Sequence, residues 1–294
     1  MKIRVKLSHV VFHVLLVVAV FALGTAAAKE HGDSKAARYL ALGDSVAFGY
    51  ITQDGFAYVN PTNFIGYPEY VGDVLRLHTV NAACPGETTG GFLSLSAVDN
   101  GCNAFRAEFP LHVTYVSSQL DFATGFLRHH PETRLVTIDL GANDGFLLED
   151  SCASAANPQQ CIDAGLPALL ATVGANMQTI LADLRATGFD GVIVVANYYS
   201  LDYSDAAETG LTQLLNQALS APAAAYGAVV ADVFTAFQAV ASKVSGKTCN
   251  AGLLNVSPQS QLLCDVHPSQ SGQRLMAQTI ARTYATVHDD HDDH

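Results

Sequence analysis

Short apolar, β-branched segments alternate with longer stretches of helical periodicity along most of this chain, and this alternation constrains its fold more than any other feature. Each short segment is bounded by Gly, Asp or Asn, as buried strands of a parallel sheet are. The strand candidates are residues 38–43, 79–83, 134–140, 192–197 and 228–233. Strands that alternate with helices run parallel and are joined by right-handed crossovers. The sequence therefore predicts an α/β protein, a three-layer α/β/α sandwich whose central parallel sheet has about five strands.

The helix candidates lie between these segments and after the last of them. They are residues 64–77, 113–127, 166–186, 206–225, 235–243 and 269–287. Gly188 is a suitable stop for the helix at 166–186, because glycine readily takes the left-handed conformation that ends helices. No internal repeat and no Pro-rich or Ser-rich linker divides the sequence. We expect one domain, over residues 36–286.

The N-terminal residues have the pattern of an export signal. Lys2, Arg4 and Lys6 precede an apolar run at 10–23, and an A-x-A cleavage site follows at 26–28. An uncleaved membrane anchor is the alternative, but the apolar run is shorter than the roughly 20 residues that span a bilayer. The sequence predicts a signal peptide at 1–28 and a flexible segment at 29–35. The mature protein is then secreted, or periplasmic if the cell has an outer membrane, and keeps no stable membrane span.

Charge limits the classes of partner that this chain can bind. The sequence has 15 basic and 27 acidic residues, which gives a net charge of -12 at pH 7. Binding to nucleic acid depends on clustered Lys and Arg side chains that contact phosphates. We therefore expect no nucleic-acid partner.

The cysteine residues suggest disulfides. All six lie in the part of the chain that would be exported, where thiols are oxidised. Six cysteines allow fifteen connectivities, and pairing in sequence order is the simplest because they form three local couples. Those couples are Cys84 with Cys102, Cys152 with Cys161, and Cys249 with Cys264. Zinc binding is the alternative, but no spacing is C-x-x-C and thiolate sites are unusual in exported chains.

Residues with catalytic chemistry follow the predicted strands. A Gly-Asp-Ser sequence ending at Ser45 follows the first strand, and Gly86 comes shortly after the second. A Gly-Ala-Asn-Asp sequence containing Asn143 follows the third, and Asp265 and His267 precede the last helix. Because ligands bind beyond the carboxyl ends of parallel strands, we expect these residues to converge at one edge of the sheet. Each motif alone is compatible with turn chemistry, but the ordered set is hard to explain that way.

This set of motifs resembles that of the GDSL, or SGNH, hydrolases, and the resemblance covers essentially the whole predicted domain. The layout is most similar to that of secreted bacterial lipases and esterases of this family. The resemblance implies a flavodoxin-like SGNH hydrolase fold, with Ser45 as the nucleophile and His267 as the base. It also implies an oxyanion hole formed by Ser45, Gly86 and Asn143. The G-x-S-x-G motif of the α/β-hydrolases is absent around Ser45, which disfavours that fold.

Asp265 is where the sequence departs from the family pattern. The family spacing between acid and histidine is D-x-x-H, whereas this chain has D-x-H, with Cys264 where the acid would stand. Asp265 remains the candidate for the third catalytic residue, because residues two apart in an extended segment point to the same side. A backbone carbonyl that orients His267 is the alternative. Asp44 and Asp144 are expected to brace their loops and to take no chemical step.

The residues and the resemblance together predict a secreted serine ester hydrolase of the lipase or esterase type. We expect a monomer that forms an acyl-enzyme on Ser45, takes a small-molecule or lipid acyl ester, and needs no metal or cofactor. Apolar residues after the site motifs are candidates for an acyl pocket or for ordinary core packing. They are Phe48, Tyr50, Phe56, Tyr58, Phe146, Leu147 and Leu148. The alternatives are an acyltransferase or carbohydrate deacetylase on the same scaffold, and an exported binding protein without turnover.

The last residues, 287–294, consist mainly of His and Asp. These residue types bind metals, but a metal site needs a packed element to fix its ligands. We therefore predict a solvated, disordered tail at 287–294.

Overall fold

A computed structural model describes residues 36–52, 55–257 and 260–292, with side chains at 36–52, 57–257 and 263–287. The predicted signal peptide at 1–28 and the flexible segment at 29–35 lie outside the described residues. The strands are β1 Arg38–Gly43, β2 His78–Asn81, β3 Thr133–Asp139, β4 Val192–Ala196, β5 Ala228–Ala231, β6 Leu254–Ser257 and β7 Ser260–Pro268.

The first five strands form one parallel sheet in the order β2-β1-β3-β4-β5. Residues of β1, β3 and β4 are buried on both faces, as the continuous apolar runs in the sequence predict for a sheet covered by helices. The α/β/α fold class and the strand count are therefore confirmed. The order is that of flavodoxin-like sheets, in which the chain reverses direction across the sheet between β1 and β3.

Strand register aligns the carboxyl ends at one edge. Gly43, at the end of β1, pairs with Asp139 at the end of β3, and Ile138 pairs with Val195 of β4. The chain therefore leaves three neighbouring strands at nearly the same level, and the loops that follow them meet.

Helices cover the sheet. They are α1 Ser45–Phe48, α2 Tyr67–Leu75, α3 Thr89–Leu93, α4 Cys102–Glu108, α5 Gln119–His129, α6 Ala142–Cys152, α7 Pro158–Ala186, α8 Ala206–Ser220, α9 Val233–Ala241 and α10 Gln270–Asp292. The helices α2 and α9 both pack on α10, and α3, α5, α7 and α8 form a second group. These two groups are the outer layers of the sandwich.

The helix α7 begins earlier than the sequence pattern predicts. Asn157 caps it by accepting a hydrogen bond from the backbone N–H of Gln160, and Pro158 occupies its first turn, where proline is tolerated. Gly165 and Pro167 lie inside the helix, which starts eight residues before the predicted start at 166. By length and composition α7 is apolar enough to cross a membrane, although a core helix passes the same test.

Two features of the C-terminal region differ from the prediction. The antiparallel hairpin of β6 and β7 was not predicted, because its strands lie outside the alternating pattern of the sheet. The helix α10 continues to Asp292, so its backbone extends into the segment 287–294 that the sequence assigned to a disordered tail. Once a helix is anchored by packed residues such as Met276 and Ile280, each added residue costs little.

Three disulfides join the cysteines in sequence order, as predicted, and none of the six is free. Cys84–Cys102 closes the loop after β2, and Cys152–Cys161 joins the end of α6 to the start of α7. Cys249–Cys264 ties β7 to the segment before β6. Two of the three disulfides therefore restrain loops at the carboxyl edge of the sheet.

Candidate active site

Ser45 stands at a sharp turn where β1 ends and α1 begins. Gly43 makes the turn possible, since its φ is 144° and an added Cβ would lie 2.1 Å from the carbonyl oxygen of Asp139. Asp44 caps α1 by accepting a hydrogen bond from the backbone N–H of Val46 at 2.9 Å. These constraints leave the Ser45 side chain half-buried at the carboxyl edge of the sheet.

Ser45, His267 and Asp265 form a continuous series of hydrogen bonds. The Ser45 Oγ lies 3.0 Å from Nε2 of His267, and Nδ1 of His267 lies 2.6 Å from Oδ1 of Asp265. An ionised Asp265 only accepts hydrogen bonds, so Nδ1 carries the proton of a neutral imidazole and Nε2 accepts from the serine hydroxyl. This is the geometry that general-base activation of a serine requires.

The Asp265 carboxylate is held in its ionised form. Burial opposes ionisation, but the hydrogen bond from His267 lowers the pKa of Asp265 well below its usual range. Thr52 adds a further hydrogen bond by donating from Oγ1 to Oδ2 at 2.5 Å. Asp265 also accepts from the backbone N–H of His267 at 3.2 Å.

The strand β7 explains how the short D-x-H spacing works. Asp265 and His267 lie two apart in an extended segment and face the same side, as the sequence suggested. The residue between them, Val266, accepts a hydrogen bond through its carbonyl from the Tyr199 hydroxyl at 2.6 Å. Together with the disulfide at Cys264, this contact fixes the strand on which both side chains stand.

The backbone N–H groups of two pocket residues, Ser45 and Gly86, are available to a ligand. The N–H groups of Ser45 and Gly86 donate no hydrogen bond to any residue that the structure describes. Gly86 has a φ of 84°, and a Cβ there would lie 2.4 Å from the carbonyl oxygen of Asn100. A side chain at this position is therefore excluded by both space and backbone conformation.

Asn143 lines the same pocket as Ser45 and Gly86, and its amide is fully engaged. Its Nδ2 donates to Oδ2 of Asp44 at 3.2 Å and to the carbonyl oxygen of Glu87 at 3.0 Å. Its Oδ1 accepts from Nδ2 of Asn100 at 2.9 Å. The side chain is 5% exposed, so its orientation is set by these partners rather than by water.

Buried carboxyl groups lie behind the serine. Oδ2 of Asp44 accepts from the Tyr198 hydroxyl at 2.6 Å, and burial raises the pKa of Asp44 to about 6. Burial and the nearby charge of Asp44 raise the pKa of Asp139 as well. Asp144 accepts two hydrogen bonds from Thr89, at 2.6 and 2.9 Å. Asp44 and Asp144 thus brace the loops that carry Ser45 and Asn143.

A pocket of about 520 Å³ opens beside the serine and the histidine. Ser45, Gly86, Asn143 and His267 line its polar end. Its remaining wall is largely apolar and comes from α6, α7 and α8, with residues that include Phe146, Leu148, Ile162, Leu166, Leu169 and Leu211. The volume lies within the range of small-molecule sites.

Only some of the apolar residues that the sequence predicted as pocket candidates line the pocket. Tyr50, Phe146 and Leu148 line the pocket, and the ring of Tyr50 lies 4.8 Å from that of His267. Phe48 and Tyr58 instead pack in an aromatic cluster with Phe64, Phe105 and Phe109. Leu147 is not among the lining residues, and the side chain of Phe56 lies outside the described part of the chain.

The sequence did not predict several residues that contact the site, among them Thr52, Asn100 and Tyr198. Tyr198 had a usable signal, because it follows β4 at the same edge as the motif residues. Thr52 and Asn100 lie in loops and carry no motif, so only the fold brings them to Asp265 and Asn143. Cys84, Glu87 and Cys102 are close enough together for a metal, but both sulfurs are joined in a disulfide and cannot act as thiolate ligands.

Comparison with solved structures identifies the fold. A phospholipase A1 from Streptomyces albidoflavus superposes with a TM-score of 0.56 at 19% identity, covering 84% of this chain and 99% of that one. An extracellular lipase from Streptomyces rimosus gives a TM-score of 0.55 at 19% identity, with 84% and 100% covered. An acetyl-xylooligosaccharide esterase from Geobacillus stearothermophilus gives 0.54 at 14% identity, with 84% and 94% covered.

Sequence comparison identifies the family. Curated proteins give no significant match. The model of the GDSL-like lipase/acylhydrolase family, however, matches residues 41–275, which include Ser45, Gly86, Asn143, Asp265 and His267. The chain thus belongs to the GDSL-like lipase/acylhydrolase family and has its SGNH hydrolase fold.

Proposed function

We propose that this protein is a secreted serine ester hydrolase that cleaves carboxylic acyl esters through an acyl-enzyme on Ser45. The observation that carries the proposal is the series Ser45, His267 and Asp265, with hydrogen bonds of 3.0 and 2.6 Å. A serine hydroxyl is a weak nucleophile unless an adjacent base removes its proton, and His267 is in contact to do so.

In the first half-reaction, Oγ of Ser45 attacks the ester carbonyl while Nε2 of His267 takes the hydroxyl proton. The carbonyl π electrons move to its oxygen and form a tetrahedral oxyanion. Asp265 stabilises the imidazolium through Nδ1–H and keeps the ring in its tautomer. His267 then gives the proton to the leaving alkoxy oxygen, the C–O bond breaks, and the acyl group remains on Ser45.

The oxyanion needs donors that are already in place. The N–H groups of Ser45 and Gly86 supply two, and Nδ2 of Asn143 supplies the third. Asn143 gives up its 3.2 Å contact with Asp44 for the oxyanion and keeps the 3.0 Å contact with Glu87. Losing one donor of this kind typically costs about 10²–10³ in kcat.

In the second half-reaction, water replaces the alcohol. His267 removes a proton from water, the hydroxide attacks the acyl carbonyl, and a second oxyanion forms at the same donors. When it collapses, the proton passes from His267 to Oγ of Ser45 and the carboxylic acid leaves.

The pocket favours an extended apolar acyl group. An acetyl group would occupy only a small part of its volume of about 520 Å³. Leucine side chains from three helices line its apolar part and would exchange water for methylene contacts. We propose medium- or long-chain acyl esters as substrates, in keeping with the lipase and phospholipase named among the structural neighbours.

Secretion is part of the proposal. Three disulfides fit an oxidising compartment, and one structural neighbour is an extracellular lipase. The N-terminal signal pattern of the sequence supports the same location.

An ester-release assay tests the proposed function. The purified mature protein is given p-nitrophenyl esters from acetyl to palmitoyl, with and without acceptor alcohols. We expect hydrolysis with kcat/KM rising from acetyl to medium or long chains, and little transfer to the alcohols. Transfer as the main reaction would establish an acyltransferase, and a strict acetyl preference would favour a deacetylase. No release from any ester would leave a binding protein without turnover.

A further inference from the structure

Asn100 connects two of the proposed oxyanion donors. It lies within the loop closed by Cys84–Cys102, and its backbone N–H donates to the carbonyl oxygen of Gly86 at 2.8 Å. Its side-chain Nδ2 donates to Oδ1 of Asn143 at 2.9 Å. Asn100 lines the same pocket as Ser45. No sequence motif marks this residue, and its contacts arise only from the fold.

The orientation of the Asn143 amide depends on these contacts. Turning the amide by 180° about its last bond exchanges oxygen and nitrogen at nearly the same positions, so only the partners decide which faces where. The nitrogen side meets two acceptors, Asp44 and the carbonyl of Glu87. On the oxygen side, Asn100 is the one side-chain donor recorded within the described residues. Without it, a buried amide oxygen would lose its hydrogen bond.

We propose that Asn100 is a positioning residue for the oxyanion hole. Its amide N–H fixes the amide plane of Asn143, so that Nδ2 is presented on the side where the oxyanion of the substrate forms. The inference rests on the proposed function, because the oxyanion belongs to ester cleavage at Ser45. Asn100 acts through Asn143 and itself takes no chemical step.

The two contacts of Asn100 can be separated experimentally. The contact with Gly86 uses the backbone and survives a change of side chain, whereas the contact with Asn143 uses the side chain. Asn100→Ala therefore removes the positioning contact alone. Asn100→Asp keeps the shape of the side chain but replaces the donor by an acceptor that repels Oδ1 of Asn143.

The test is a double-mutant cycle on kcat. We expect Asn100→Ala to lower kcat about tenfold to a hundredfold, with KM within about threefold, because the oxyanion exists only in the transition state. In an Asn143→Ala background, the same change should lower kcat by less than about twofold, since Asn143 no longer needs orientation. Asn100→Asp should lower kcat at least as much as Asn100→Ala.

Asn103→Ala is the matched control. Asn103 lies near the same disulfide and is exposed, and its Nδ2 donates to Oδ2 of Asp99 rather than to the site. The kcat of the Asn103→Ala variant should equal that of the parent. Equal melting temperatures of parent and variants separate positioning from folding, and the near-isosteric Asn100→Asp carries the test if Asn100→Ala does not fold.

Two results would overturn the inference while leaving the proposed function intact. One is an active parent whose kcat changes less than twofold in Asn100→Ala and Asn100→Asp. The other is a double variant whose loss of kcat equals the product of the losses in Asn100→Ala and Asn143→Ala, which would mean that the two residues act independently. A parent without ester hydrolysis would overturn the proposed function, and this inference with it.

Discussion

The polar and apolar ends of the pocket are built in different ways. At the polar end, side chains from β7 and from the segments that follow the parallel strands are held by directional hydrogen bonds of 2.5 to 3.2 Å. At the apolar end, α6, α7 and α8 contribute leucines whose contacts are non-directional. Ser45 meets one partner atom at a defined distance, whereas Leu148 only fills space.

This difference indicates how substitutions at each end should act. Proton transfer needs heavy atoms within hydrogen-bond distance, so small displacements at the polar end reduce the rate for every substrate. The apolar end sets volume, and volume-conserving changes there are tolerated. We therefore expect the polar end to determine whether an ester is cleaved and the apolar end to determine which acyl chain is preferred.

Loss of the nucleophile should give the largest effect. Ser45→Ala is expected to reduce kcat by at least about 10⁴-fold on esters of every chain length, because the covalent route is lost. Ester release and circular dichroism together measure activity and fold. A variant that retains activity with an intact fold would show that the polar end of this pocket does not carry the reaction.

Asp265→Asn should give the next largest effect. We expect kcat to fall at least about a hundredfold, because the amide neither stabilises the imidazolium nor favours the productive tautomer of His267. Thr52→Val, which removes one hydrogen bond from Asp265, should cost only a few-fold. A folded Asp265→Asn enzyme within about threefold of the parent, a change below 1 kcal/mol in the barrier, would leave Ser45 and His267 as a dyad.

Gly165→Ala should change preference rather than rate. A Cβ at Gly165 would lie 2.6 Å from Cδ1 of Leu148, which is the flexible end of a pocket side chain and must move. If Leu148 moves into the pocket, the ratio of kcat/KM for the longest acyl esters to kcat/KM for the shortest should fall about tenfold. A change of this size corresponds to the loss of space for about one methylene group.

Gly174→Ala on the same helix is the control, since its nearest neighbour outside the helix is the Ala218 carbonyl oxygen at 3.6 Å. It should leave the ratio of long-chain to short-chain kcat/KM unchanged. Identical chain-length profiles for the two alanine variants would argue against an acyl chain lying beside Leu148.

Glu87→Gln should have the smallest effect on activity, and its effect should be on stability. Burial and the charge of Asp99 raise the pKa of Glu87 from 4.5 to about 8, and the residue is 2% exposed. The folded protein therefore holds this proton more tightly than the unfolded chain, and the resulting stabilisation is lost as pH rises from about 5 to 8. The parent should lose up to about 1.4 kcal/mol of unfolding free energy per pH unit relative to Glu87→Gln.

Denaturant unfolding at several pH values measures this difference. Asp44, whose pKa is raised to about 6, contributes with the same sign in both proteins, so the comparison isolates Glu87. Parallel stability curves for parent and variant would mean that Glu87 is ionised in the folded state.

The sequence predicted most of the sheet and the motif-bearing part of the site. Strand periodicity and the fixed order of motifs were enough for β1 to β5 and for the convergence of Ser45 and Asn143, because the carboxyl ends of parallel strands must meet. The position of His267 depends on the β6–β7 hairpin, which no strand periodicity predicted. The early start of α7 was not predicted: Asn157 caps the helix at 157, and tertiary packing sustains it although Gly165 and Pro167, which have low helix propensity, lie inside it.

Other parts of the site depend on contacts distant in sequence. Thr52 meets Asp265 across 213 positions, and Asn100 meets Asn143 across 43. Loops follow no periodicity, so no local sequence pattern predicts that Thr52 and Asn100 contact the site. The division of aromatic residues between pocket and core was also undetermined, since Phe48 and Tyr50 both carry an aromatic ring and only the turn after Ser45 decides which ring reaches the pocket.

The central claim is that Ser45 is the nucleophile, and active-site labelling tests it most directly. The protein is treated with a serine-directed phosphonate, and the modified peptide is identified by mass spectrometry. We predict one phosphonyl group per chain, on Oγ of Ser45, with complete loss of ester hydrolysis and much slower labelling in His267→Ala. Modification of a different residue, or full hydrolysis by protein labelled at Ser45, would contradict the account.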